Sequence, residues 1–466
     1  MNNRLLPVTL LLATAIPALT RAGDGVIDLT QLENYAAQTR PGYITRNNTT
    51  AGNAITDRGA TLGRILFHDK RLSRNNTISC SSCHQQQHAF GDTLTASNGV
   101  NGTTGRHSMR LINTRFAAET RFFWDERANT LEAQTTQPVR DHVEMGFSGT
   151  SGDPAFADLV TKLSAIDDYR VLFAMTFGDK AITETRIQQS LAQFVRSIQS
   201  FDSKYDTGRA AVANDGQPFP NFSAAENAGM QTFLNPPNQG GAGCAGCHQP
   251  PEFDIDPTSR NNGVSGKIGG GTDLTNTRSP SLRDILGPGG EPNGPFMHDA
   301  SFATLAQVIN HYNVIPANNP DLDNRLRGPG GQPQRLNLTQ GQKDNLAAFL
   351  RTLTGTNVYT DERWSNPFNE ENQLTLIVLP PEKVSITDLG DGTADICCTA
   401  VSGFNYLLQQ STDLQSWTTI ATIPLYEQYR DAEGELRDNE RADKIQRYQA
   451  VATVSVTVRD VAVLER

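Results

Sequence analysis

The chain has 466 residues, with 40 basic and 50 acidic side chains and a formal net charge of −10. That length exceeds what one hydrophobic core serves, so two to four domains are expected. The mild acidic balance argues against nucleic acid as a partner and permits docking by a basic one.

The first 22 residues read as a secretory signal peptide, with Arg4, an apolar run from Leu5 to Leu19 and small residues near Ala22. Pro7 and Pro17 interrupt a run already short for a bilayer, and no other stretch is apolar enough to span one. The mature protein is therefore expected to be soluble, without a membrane span, and periplasmic. Leu29 to Gln38 is a helix-like piece followed by a polar linker. Helical spacing then recurs at Thr61 to Phe67, Ala128 to Gln137, Phe156 to Leu163 and, longest, Ile182 to Ile198. Gly91 to Gly105 and Gly146 to Asp153 read as loops, and Phe201 to Phe222 as a connector. Ser223 and Glu226 form the signature of a capping box at a helix start. Glycine-rich loops at Gly263 to Gly271 and Gly287 to Gly294 flank SPSLRDIL, and helices are expected over Thr304 to Tyr312 and Thr339 to Thr352.

After Pro367 the pattern changes to period-two alternation with turn signals between the runs, which predicts a small β-sandwich. With C-x-x-C-H motifs at Cys80 to His84 and Cys244 to His248, the expected fold is mainly α, with two cytochrome c-like haem domains followed by a small C-terminal β-sandwich-like domain. The expected division is 1–22 signal peptide, 23–205 first haem domain, 206–368 second haem domain and 369–466 accessory domain.

The haem assignment rests on two short motifs. Cys80-Ser-Ser-Cys83-His84 and Cys244-Ala-Gly-Cys247-His248 both have the C-x-x-C-H spacing of c-type haem attachment. Two thiols three residues apart share a face of a helical turn and reach the two vinyl groups of one porphyrin. The histidine that follows offers an imidazole to the iron. A single C-x-x-C also serves as a redox dithiol or as half a zinc site, but two C-x-x-C-H units in an exported chain favour two covalently bound haems. The other two cysteines, Cys397 and Cys398, are adjacent in a predicted strand, where they are expected to be ordinary thiols on opposite faces.

From Leu62 to about Phe368 the chain resembles the bacterial di-haem cytochrome c peroxidase family, which includes the related enzyme that matures the tryptophan tryptophylquinone cofactor. The matching stretches are LGRILFHDKRLS before the first haem motif, FFWDERANTLEAQTTQP and VEMG between the motifs, and SPSLRD and GPFMHDASFATLAQVINHYN after the second. The resemblance implies a peroxidatic first haem and an electron-accepting second haem. It implies His84 on iron 1, His248 and Met297 on iron 2, and Trp124 between the haems. Gln134 and Glu144 match the distal pair that orients peroxide and shuttles its proton. Hydrogen peroxide would be the substrate, and a small c-type cytochrome or a cupredoxin the donor. Family members are commonly dimeric, so a homodimer is part of the same expectation.

One departure matters. Many members place an iron-capping histidine in the loop after the first haem, and here Asp92 to Gly105 contains none. His107 follows, where the family commonly has an asparagine that helps bind an interdomain calcium. Either the first iron has an open position or His107 caps it, and the calcium expectation is weakened in both cases. His88, His68 and His142 read as loop, surface or supporting residues, and His298 and His311 as supports for the second pocket. Arg106 and Arg283 are candidates for pairing haem propionates. The runner-up functions are a di-haem oxidase that modifies a partner protein and a non-catalytic di-haem electron-transfer protein.

Overall fold

The structure, a computed structural model, describes residues 23–377 and the backbone of the strands lying between residues 384 and 459. The predicted signal peptide lies outside the described residues. Through residue 377 the protein is mainly helical, with only short strands.

Strand β1 (Val26–Asp28) leads through an irregular segment to α1 (Asp57–His68) and a one-turn helix α2 (Cys80–Cys83) that carries the first motif. A tight hairpin of β2 (Asn98–Gly99) and β3 (Gly102–Thr103) follows, then the short helices α3 (Leu131–Thr135) and α4 (Gln137–Arg140). Helices α5 (Phe156–Ser164), α6 (Asp167–Phe177) and α7 (Glu184–Ser197) complete the first region. The second region contains α8 (Lys204–Ala210), α9 (Ala224–Leu234), the hairpin β4 (His248–Gln249) and β5 (Asp254–Ile255), α10 (Leu305–Asn313) and α11 (Gln340–Arg351).

Each region has its own hydrophobic core. In the first, α1 buries Leu62, Ile65, Leu66 and Phe67 against Ile187, Leu191, Phe194 and Val195 of α7. The crossing is close because Gly63 lies on the Ser190 carbonyl, where any Cβ would collide. In the second, α9 crosses α11 in the same way, with Gly229 on the Asn345 carbonyl and Phe233 packed on Phe349. Ser223 and Glu226 do form a reciprocal capping box, with Ser223 Oγ accepting from the Glu226 amide at 3.2 Å.

Several local expectations differ from the structure. Leu29 to Gln38 is not helical. Its Tyr35 is instead fully buried and donates from its hydroxyl to the Arg363 carbonyl at 2.6 Å. The helix expected over Ala128 to Gln137 breaks at Thr136 into α3 and α4, because Pro138 has no N–H to carry the ladder on. The connector expected over Phe201 to Phe222 contains α8, and α6 has no counterpart in the sequence reading. The apolar residues of α6 run together from Val171 to Phe173 rather than along a single stripe.

The chain also returns to where it began. Val358, Trp364 and Phe368 belong to the first core, not the second. Arg64 Nε donates to the Ser365 carbonyl at 2.7 Å, and β1 pairs in parallel with β6 (Thr375–Ile377). Beyond it, β7 (Val384–Asp388), β8 (Thr393–Val401), β9 (Asn405–Gln410), β10 (Thr418–Pro424), β11 (Tyr429–Arg430), β12 (Leu436–Arg437) and β13 (Val451–Arg459) follow. They form a three-stranded antiparallel sheet in the order β13-β8-β7 and two strand pairs, β9 with β10 and β11 with β12. Cys397 and Cys398 lie in β8, with Ser455 and Val454 as register partners. Their side chains lie outside the described residues.

Candidate functional site: two cavities across one partition

A cavity of about 550 Å³ opens in the first region, lined by Cys80, Cys83, His84, Trp124, Gln134 and Glu144. A second of about 390 Å³ lies in the other region, lined by Cys244, Cys247, His248, Trp124 and Met297. Both sizes fall in the range of cofactor pockets. The structure thus gathers Cys80, Cys83, His84, Gln134 and Glu144 at one cavity and Cys244, Cys247, His248 and Met297 at the other. Trp124 and His107 line both.

The four thiols are free, and burial pushes them up, Cys80 and Cys244 to about 12 and Cys83 to about 11. A redox dithiol needs the opposite shift. Among the described residues, moreover, no group of three or more His, Cys, Asp and Glu side chains is placed to hold a metal ion. Neutral thiols beside an apolar cavity fit covalent attachment of a prosthetic group.

His84 is positioned by the loop that follows it, and His248 is its counterpart at the second motif. His84 Nδ1 lies 3.1 Å from the Phe90 carbonyl. A carbonyl can only accept, so Nδ1 donates to it, and the Met109 carbonyl also acts on the imidazole. Phe90 reaches this position with φ of 59°, in the left-handed region. Burial lowers both imidazoles, His248 to about 4, so both are neutral at physiological pH. Met297 also has a left-handed backbone, with φ of 73°, and its Sδ accepts from Asn262 Nδ2 at 3.3 Å. The same amide lies 3.3 Å from the Tyr312 hydroxyl, and the Asn262 carbonyl is held by His311 Nε2 at 2.9 Å. Sequence reading did not foresee Asn262 or Tyr312 here, and only their proximity in space identifies them.

On the first cavity, Glu144 makes no side-chain hydrogen bond or ion pair among the described residues. Burial and the neighbouring Asp141 carboxylate push its carboxyl up to about 7. Its backbone is clamped by the β2–β3 hairpin, since Val100 N donates to the Glu144 carbonyl and Asn101 N to the Val143 carbonyl at 3.0 and 3.1 Å. Gly99 permits the approach, because a Cβ there would strike the Val143 carbonyl. The loop that lacks a histidine is thus used to hold Glu144. Gln134, on α3, lines the same cavity with its side-chain amide unengaged.

The partition between the cavities is tightly tied. Trp124 Nε1 donates to the His107 carbonyl at 2.7 Å, and the Trp124 carbonyl accepts from the Thr277 and Arg278 amides. The Trp124 ring meets His298 edge-on, with centroids 6.2 Å apart. His107 is buried, donates from its amide N to the His298 carbonyl, and has Nδ1 2.9 Å from the Leu94 carbonyl.

Of four expectations for other residues, the surface reading of His142 agrees with the structure and three are corrected. His68 is no surface residue but is buried, with Nε2 at the Trp364 carbonyl and burial lowering it to about 3. His142 is exposed and pairs with Asp153. Arg106 is committed to Asp125 and Asp273 at 2.7 Å each. Arg283 is fully buried and bidentate on Asp206, with both bonds at 2.9 Å, so neither arginine is free for a propionate.

A family model described as di-haem cytochrome c peroxidase matches residues 57–212. The methylamine utilization protein MauG of Methylophilus methylotrophus is 31% identical over 312 residues, covering 65% of this chain and 84% of that protein. The chain belongs to the di-haem cytochrome c peroxidase family. Members of this family carry two c-type haems. The cytochrome c551 peroxidase of Nitrosomonas europaea is 26% identical over 309 residues, covering 64% of this chain and 80% of that one. Among solved structures, a MauG-like protein associated with microbial copper homeostasis aligns with a TM-score of 0.56 and 29% identity, covering 70% of this chain and 98% of its own. Both branches of the family, peroxidases and MauG proteins, are thus among the relatives. No helix among the described residues is long and apolar enough to cross a membrane.

Proposed function

We propose that this protein is an exported, periplasmic di-haem c-type peroxidase that reduces hydrogen peroxide to water with electrons from a small c-type cytochrome or cupredoxin. Two electrons and two protons convert each peroxide to two waters. Haem would supply the redox-active iron, with Cys80, Cys83 and His84 holding one group and Cys244, Cys247, His248 and Met297 the other. The residues fit it, with paired neutral thiols, an imidazole oriented by a carbonyl at His84 and a cavity of cofactor size at each motif.

The observation that carries the reading is Glu144. A carboxyl held near pH 7, buried and unpaired, opposite a C-x-x-C-H motif in the same cavity, is suited to accept a proton from one peroxide oxygen and return it to the other. Gln134, with a free amide in the same cavity, would orient the peroxide. Trp124, lining both cavities, would shorten the path for electrons from the second region to the first. The thioether of Met297, fixed by Asn262, suits a high-potential electron-accepting site. The test is steady-state peroxide turnover with a reduced carrier. Haem-loaded protein that oxidises no carrier when peroxide is added rejects the reading.

A second reading, oxidation of a partner protein, is favoured by one observation. The hairpin after the first motif supplies no histidine to cap the first site. Peroxide consumption without a carrier, accompanied by covalent change in a co-purified protein, would select it.

A further inference from the structure

Two short segments, His107 to Arg110 and Ser279 to Pro280, line both cavities and form most of the partition between them. Two arginines lie in it, Arg110 and Arg278, and burial depresses both. Their surroundings differ. Arg278 donates to the Glu119 and Arg121 carbonyls, and the carboxylates of Glu119, Asp254 and Glu126 act on it.

Arg110 is much less satisfied. Nη2 donates to the Ser281 carbonyl at 3.1 Å, while Nε is buried with no acceptor. No carboxylate among the described residues forms an ion pair with it. The acidic groups that act on it are Tyr359 and Asp284, and the Tyr359 hydroxyl is itself directed at Asp284 Oδ1 at 3.2 Å. The stem of Arg110 is fixed, packed on Gly91 so closely that a Cβ there would press on its Cγ. Gly91 adjoins Phe90, whose carbonyl orients His84.

A guanidinium does not shed its proton in a protein, so a buried one with spare donors calls for an anion. Its fork of donors matches a carboxylate in two-point contact. A c-type haem brings two propionates. The two arginines that sequence offered for them, Arg106 and Arg283, are occupied by Asp125, Asp273 and Asp206.

We propose that Arg110 completes an anion site in the partition and is the counter-ion of a haem propionate, coupling the cofactor charge of one cavity to the other. The inference rests on the haem-binding reading above. The negative charge of a propionate stabilises the oxidised iron and a paired guanidinium offsets it, so removing the guanidinium should favour the oxidised form.

The experiment is spectroelectrochemical titration of the purified holoprotein and of Arg110→Gln and Arg110→Lys, after the covalent haem content of each is measured. The expected result is two haems per chain in all three, with at least one midpoint potential lowered in Arg110→Gln and restored toward wild type in Arg110→Lys. Unchanged potentials in a fully loaded Arg110→Gln protein would overturn the proposal while leaving the proposed function intact. Wild-type protein without covalent haem would overturn both. If Arg110→Gln does not fold, a folded Arg110→Lys protein with two haems and near-native potentials supports the charge role, and failure of both variants reduces Arg110 to a structural residue and overturns it. Titrating acetate into the wild type separates the sources of carboxylate. Potentials that stay put fit a propionate already in place, and potentials that move with acetate indicate a free anion and overturn the assignment.

Discussion

The first and second regions are built on one plan and lined for different work. Each has a helix that crosses its partner over a glycine, Gly63 of α1 on α7 and Gly229 of α9 on α11, and runs on to a C-x-x-C-H motif. Each also has a fully buried arginine in an ion pair, Arg196 with Glu132 in the first and Arg283 with Asp206 in the second. The cavities then diverge. The first presents a titratable Glu144 and an uncommitted Gln134, and the second presents the Met297 thioether with an amide donor fixed on it. The shared helices therefore set where a cofactor sits, and the loops between them set what can happen there.

The largest effect should come from removing the group that most distinguishes the first cavity. Glu144→Gln keeps the shape and removes the base, and kcat/KM for peroxide should fall by about 10² to 10⁴. In the wild type the carboxylate form is the active one, so kcat/KM should rise through the pH at which Glu144 ionises, about 7. That inflection should vanish in the variant. The absorption spectrum of the second haem should not change.

Next in size are the buried pairs. Arg283→Met strands Asp206 as an unpaired buried carboxylate and should cost about 3 to 5 kcal/mol, read by denaturant unfolding. Arg196→Met should do the same through Glu132, whose own exposure makes its cost the smaller of the two. Equal losses would argue that the two pairs are interchangeable supports.

Acid should also act on the first region's pair. Glu132 is pulled upward by burial, but its bonds to Arg196 and Asn53 prevail and lower it from 4.5 to about 2. A depressed carboxylate contributes stability that is complete above the unfolded value and is lost as pH falls through the folded one. Unfolding free energy should therefore decline from about pH 4.5 toward pH 2. Glu132→Gln should flatten that part of the curve.

The smallest expected effects are at the two crossings. Gly63→Ala and Gly229→Ala each press a methyl group on a backbone carbonyl and should cost about 1 to 3 kcal/mol by overpacking. Differential loss of the two haem signals during thermal unfolding would show which core each glycine serves.

Much of this plan was legible in the sequence. The α1, α5, α7, α10 and α11 helices follow apolar periodicity, and the start of α9 follows from its capping box, because those signals are local. The motif cysteines and histidines are also local, which is why their spacing alone marked them. What was hidden depends on distant contacts. Tyr35 and Trp364, far apart in the chain, lie in one core, and His68 is buried because the chain returns over it. The engagement of Arg283 with Asp206 is a pairing across 77 residues that no periodicity announces. Arg110 is the same kind of case, since an arginine in a loop gives no sign that it has been left without a carboxylate.

The central claim is that the two sites are unequal, one with an acid–base group beside an open position and the other closed by sulfur. The most direct measurement is the electron paramagnetic resonance and near-infrared magnetic circular dichroism of the oxidised holoprotein. The account predicts one high-spin haem whose signal changes on adding peroxide, and one low-spin haem with the charge-transfer band of histidine–methionine ligation that is lost in Met297→Leu. Two low-spin haems with the same ligation, neither responding to peroxide, would contradict it.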